Sequence, residues 1–202
     1  MVSPTLYLIT PPSAEPVTIA EAKEHCRVDL SNEDNLLDGL IAAARMWAEQ
    51  YKGQALVTQT WDLKLRAFPC GRLEIPLGPL QSVTSVKYLD GAGVEQTWDA
   101  AKYSTHGLYV PVTKPAGPDP KRGWIEPVYG QFWPIALPVD EAVRVRFTAG
   151  WGTAAQVPQR FKQAMLLRLA QLYAQREPVV AGTAITLNDT KADEALLWPP
   201  SF

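Results

Sequence analysis

Two hydrophobic periods run along the chain, and the switch between them divides it. From Leu36 to Tyr51 the apolar positions Leu36, Leu37, Leu40, Ile41, Ala44, Trp47, Ala48 and Tyr51 recur three, four and seven residues apart, which predicts a long helix with one broad apolar face. Ser31 offers its cap, Glu33 and Asp34 suit the positive end of its dipole, and Gly53 offers a left-handed stop. Before it, Thr18 and Glu21 stand at capping-box spacing. They predict a shorter helix of about three turns that breaks at Asp29-Leu30-Ser31.

After Gly53 the period becomes two. Trp61, Leu63 and Leu65 alternate with Asp62, Lys64 and Arg66, a strand with one buried and one wet face. "RLEIPL", "SVTSVKYLD" and "VRVRFTAG" are further strands, and Asp90-Gly91 marks a hairpin or a longer loop through Gly93. Between Pro111 and Pro138 the density of Pro, Gly and aromatic residues predicts long loops with short strands. Helical spacing returns at Pro158, with Phe161, Ala164, Met165, Leu169, Leu172 and Tyr173 on one face and Leu166 and Leu167 widening it, until Pro178.

This order predicts an α+β fold: a helical bundle of two N-terminal helices plus a long C-terminal helix, with an inserted antiparallel β region and an extended C-terminal arm. The expected divisions are 1–54 (N-terminal arm and helical part), 55–152 (inserted β region), 153–178 (C-terminal helix completing the bundle) and 179–202 (arm). The core is expected to end before Asp193. At 202 residues and 47% hydrophobic, the chain can bury a sizeable core.

Charge narrows the function classes. Nineteen Lys and Arg against 21 Asp and Glu leave a net charge of -2, which argues against a surface that grips phosphates. The opening "MVSPTLYLITPPSAEP" lacks a basic segment and its apolar run is broken by prolines, so neither a signal peptide nor a membrane span is expected, and a cytosolic protein is. Cys26 and Cys70 lie far apart, outside any C-x-x-C, and are expected as buried free thiols.

Candidate chemistry is sparse. The chain has two histidines, His25 and His106. His25 precedes Cys26, but neighbours on a helix point about 100° apart and do not form a pair. The spacing of these residues supports no tetrahedral metal site, and no phosphate-binding or serine-hydrolase motif occurs. No catalytic, cofactor-binding or metal-ligating residue is therefore expected. The loop aromatics Trp98, Tyr103, Tyr109, Trp124, Tyr129, Trp133 and Trp151 admit three uses: a sugar-stacking platform, a protein interface, or filling for a thin β core.

Taken together, "VTIAEAKEHCRVDLSNEDNLLDGLIAAARMWAEQYKGQALVTQTWDLKL", "PLQSVTSVKYLDGAG" and "FTAGWGTAAQVPQRFKQAMLLRLAQLYAQRE" resemble the head–tail connector (adaptor) proteins of tailed bacteriophages and gene transfer agents. The resemblance carries the A-E-A-K-x-x-x-R-V-D start, the A-R-x-W-x-E-x-Y-x-G-Q-A-L helix end, the T-Q-T-W strand, the P-L-Q-S-V hairpin and the A-G-W-G to V-P approach to the last helix.

It implies a structural protein rather than an enzyme, without cofactor, in the virion neck and assembled in the bacterial host cytoplasm. Implied partners are the portal protein, neighbouring copies in a ring, typically of twelve, a downstream stopper or tail terminator, and genomic DNA that passes without sequence-specific binding; no membrane is implied. Within that picture Leu196, Leu197, Trp198, Pro199, Pro200 and Phe202 are candidate portal-binding residues. Arg27, Asp29, Arg45, Glu49, Arg168 and Arg176 are candidate inter-subunit contacts. A carbohydrate- or cell-surface-binding module using the aromatic loops is the alternative.

Overall fold

The computed structural model describes residues 4–29, 31–112, 120, 122–174 and 196–197. Helix α1 (Ile19–Cys26) starts at the expected capping box: the Glu21 N–H donates to Thr18 Oγ1 at 3.2 Å, and the Thr18 N–H donates to Glu21 Oε2 at 2.7 Å. It is shorter than expected because Arg27 turns left-handed at φ 57°, and the next amide, Val28 N–H, donates back to the Lys23 carbonyl at 3.0 Å.

Helix α2 (Asp34–Lys52) follows a 3-10 turn over Ser31–Glu33, so no side chain caps it directly. Gly53 ends it in the left-handed conformation, as expected. Its buried stripe is Leu37, Ile41, Ala44 and Ala48, with Leu40 and Trp47 packed beside it. Leu36 and Tyr51 are exposed, so the expected broad face is narrower: α1 and α3 (Gln159–Ala174) cover one side of α2 only. Phe161, Met165 and Leu169 of α3 join the same apolar cluster, together with Leu56, Val57 and Trp151 from the segments that enter and leave the sheet.

Five strands form an antiparallel sheet in the order β1-β2-β8-β4-β5. They are β1 (Thr5–Thr10), β2 (Gln59–Leu65), β4 (Leu80–Leu89), β5 (Glu95–Trp98) and β8 (Val143–Ala149). A small sheet of β3 (Leu73–Glu74), β7 (Trp124–Pro127) and β6 (Tyr103–His106), ordered β3-β7-β6, packs on its apolar face; Leu73, Ile75 and Ile125 share one core with Leu63, Val86, Val145 and Phe147. Strand β1, expected as part of an N-terminal arm, instead extends the β region, pairing Leu6 with Leu63 and Leu8 with Trp61. The β4–β5 turn takes the longer form, Asp90 to Val94, with Gly93 at φ 78°.

Asp62 departs from its expected wet position. Its residue is 3% exposed, and Arg146 of the next strand donates to both carboxylate oxygens at 2.7 and 2.8 Å, which satisfies a charge the fold has covered. At the junction from β8 back to the helices, Gly150 (φ 138°) leaves no room for a side chain, since an added Cβ would sit 2.6 Å from the Val57 carbonyl. Cys26 is half-buried and Cys70 is exposed, so the expectation of two buried thiols fails at Cys70. No helix among the described residues is long and apolar enough to cross a membrane.

Candidate interaction surfaces

The histidines and cysteines are dispersed among the described residues. His25 is exposed on α1, and burial pushes the Cys26 thiol up, away from a reactive thiolate. His106 stacks on Trp124 with ring centroids 5.3 Å apart, and its Nε2 lies 3.0 Å from the Glu126 carboxylate. Among the described residues no three His, Cys, Asp or Glu side chains are grouped to hold a metal ion.

Most of the loop aromatics serve the core. Trp98 and Trp151 are 6% and 2% exposed; Tyr109 meets Trp151 edge-on, and Tyr103 stacks on Trp98 at 5.3 Å. Phe68 stacks on Trp133 at 4.7 Å, and Trp133 lies against Trp98 at 4.8 Å. Trp98, Tyr103, Phe68 and Trp133 thus fill the thin β core, Tyr109 and Trp151 pack in the helical cluster, and no open ring pair is left among them to receive a sugar.

The same stack produces a surface. The segment after β7 is pinned at its start by the Val128 N–H donating to the Lys102 carbonyl, and at its end by the Leu137 N–H donating to the Leu89 carbonyl. In between, the Trp133 Nε1–H donates to the Gly71 carbonyl at 2.7 Å. Held at three points, the loop turns Tyr129, Phe132 and Ile135 outward at 106%, 86% and 92% exposure. Three large apolar side chains thus stand exposed on one anchored loop, a candidate docking surface.

A second apolar feature is concave. Between α2 and the β1–β2 edge lies a groove of about 370 Å³ lined by Leu6, Leu8, Met46, Trp61 and Leu77, with Arg45, Glu49 and Gln59 on its polar side. Arg45 Nη1 donates to Glu49 at 2.8 Å and its Nε donates to Glu15 at 2.9 Å; Glu49 also accepts from the Leu56 N–H and from Gln59 Nε2. Burial pushes the Glu49 carboxyl up, against the pull of the Leu56 N–H and of Arg45. Arg45 and Glu49, expected as inter-subunit contacts, are thus engaged within their own chain while still lining the groove.

The outer face of the large sheet is polar and internally paired. Lys64 meets Glu141, and Lys87 and Arg144 both meet Glu95, beside the Asp62–Arg146 pair. The register sets Lys64, Arg144 and Lys87 in one row across β2, β8 and β4, and Glu141 and Glu95 pair with all three of these cations.

Arg27 and Asp29 are exposed just beyond α1, and Arg168 packs over Trp47, 5.3 Å from the ring centre. Of the expected apolar tail, Leu197 is 1% exposed within the helical cluster, whereas Leu196 is 36% exposed. Trp198, Pro199, Pro200, Phe202 and Arg176 lie outside the described residues. Sequence reasoning missed the groove and the loop tip. The tip had a signal in the run "VYGQFWPIALP", but no sequence pattern separates Trp133, which turns in, from Phe132, which turns out.

Comparison with known proteins places these features in a family context. Residues 16–88, from the approach to α1 into β4, match the family described as Phage gp6-like head-tail connector protein. Among solved structures, a chain in the virion of a native gene transfer agent (GTA) particle superposes with a TM-score of 0.73 at 26% identity, covering 95% of this chain and 92% of that one. A chain in the neck of an empty GTA particle, computed with C6 symmetry, gives 0.73 and 26%, covering 96% and 93%. One in the neck of a native GTA particle, computed with C12 symmetry, gives 0.66 and 25%, covering 96% and 92%. No curated protein matches the chain by sequence. The resemblance read from the motifs is the one these comparisons return.

Proposed function

We propose that this chain is a structural head–tail connector in the neck of a tailed phage or phage-like particle, present there as a ring of copies and without an enzymatic role. The observation that carries this reading is the breadth of the likeness: neck and virion chains of gene transfer agents match over 95% and 96% of the chain, with the connector family recognised independently over residues 16–88. The C12 symmetry of one of those necks supports a dodecameric ring.

In this reading α1, α2 and α3 form a bundle that packs side by side around the ring beneath the portal, and the β region projects outward or toward the tail. The ring extends the DNA channel and receives the stopper or tail terminator. A net charge of -2 and a paired sheet face suit a wall past which DNA slides without sequence-specific contact. Arg27 and Asp29 at the end of α1, together with Arg168 and Arg176, contribute polar contacts to neighbours. The C-terminal residues Leu196 to Phe202 dock on the portal, with the exposed Leu196 rather than the buried Leu197 as the described part of the contact.

Localisation tests the reading. Electron microscopy of particles carrying an epitope-labelled chain should place the label at the head–tail junction, and particles made without the chain should accumulate as filled, tailless heads. Label at the tail tip or on the capsid shell would overturn the proposal.

A further inference from the structure

We propose that the loop tip carrying Tyr129, Phe132 and Ile135 seats in the groove between α2 and the β1–β2 edge of the next copy around the ring. This rests on the reading of the chain as a ring-forming neck protein and assigns that ring its contact.

A closed ring of more than two copies uses heterologous contacts, so each subunit must carry two different surfaces that fit each other. This chain has such a pair. The tip is convex, apolar and fully exposed; the groove is concave, about 370 Å³, and walled by Leu6, Leu8, Met46, Trp61 and Leu77. The two lie at opposite parts of the large sheet. The groove opens beside β1 and the first half of β2, whereas the loop is anchored toward the opposite end of the strands, on Gly71 and Phe68 beyond the end of β2, on Leu89 at the end of β4, and against Trp98. A tip on one side and a hole on the other propagate head to tail from copy to copy.

The energetics fit a contact made only on assembly. Three large apolar side chains bury roughly 500 Å² in all, short of the about 800 Å² per partner typical of a stable pair. Isolated copies are therefore expected to be monomeric, with the contact populated once a platform holds the copies side by side at high effective concentration. Anchoring through Trp133 limits the conformational entropy lost when the tip docks.

Disulfide trapping in assembled particles tests this. In a Cys70→Ser background, Met46→Cys in the groove and Phe132→Cys on the tip should give, on mild oxidation, a reducible ladder of copies rising to the full ring, while either substitution alone gives monomer. Phe132→Ser should leave the thermal midpoint of the purified protein unchanged and lower the yield of necked particles about tenfold or more. If the chain is recovered in the neck as a ring and the double-cysteine form gives no ladder, the tip docks elsewhere, on the portal, the tail or the copy's own arm; this inference is then overturned while the ring reading stands. Absence of the chain from the neck would overturn both.

Discussion

Asp62 and Arg146 show what a single residue contributes here. The bidentate bond from Arg146 holds the Asp62 carboxyl below its ordinary value of 3.8, so the pair's stabilisation is complete above that pH and is lost as pH falls through the lower folded value. Asp62→Asn is expected to cost about 1–2 kcal/mol at neutral pH, since one partner is buried and the other partly exposed. Its deficit in urea melts should shrink once the pH drops below about 4; a constant deficit down to pH 2 would show that the ionic form is not what stabilises. Glu49 has the opposite sign, because burial raises it: its contribution is greatest below its ordinary value and falls as pH rises through the raised one. At Arg27, a non-glycine residue in the left-handed region, Arg27→Gly should raise stability by about 0.5–1 kcal/mol in the same melts. Its effect on ring assembly, measured separately, then reports the guanidinium's contact with a neighbour.

Among the elements, α1 was the most legible, because its start is written in two residues. Thr18→Ala should cost about 1 kcal/mol by removing one half of the capping box. Helix α2 was legible in position and in its Gly53 stop, but not in the width of its buried face, which depends on how much of it α1 and α3 cover. Strands β2, β4 and β8 were announced by alternation. Strand β1 was not, because "TLYLIT" is flanked by prolines and becomes a strand only through pairing with β2. The loop after β7 stands or falls with its anchor: Trp133→Ala should cost about 2–3 kcal/mol and make the 128–137 segment exchange its amides faster, while Phe132→Ser does neither. Equal exchange in both variants would mean that the stack does not hold the loop.

For the whole molecule, the C-terminal residues carry the sharpest revision. The core was expected to end before Asp193, yet Leu197 is fully buried among the three helices. Leu197→Ala is therefore expected to cost about 2–5 kcal/mol, and removal of everything after Asp193 at least as much, whereas Leu196→Ser changes stability by no more than about 0.5 kcal/mol. A truncated chain with an unchanged melting midpoint would return the segment to the role of a free arm. The sequence by itself determined the order of the three helices and of strands β2, β4 and β8, the capping box of α1, the Gly53 stop, the absence of any catalytic motif and the family resemblance, because each is encoded in residues close together along the chain. Only the tertiary structure decided that Asp62 is buried and paired, that Trp133 turns in while Phe132 turns out, that β1 edges a groove against α2, and that Leu197 completes the helical core. Each of these depends on a partner tens of residues away, and hydrophobic periodicity specifies that a face will be covered without specifying what covers it.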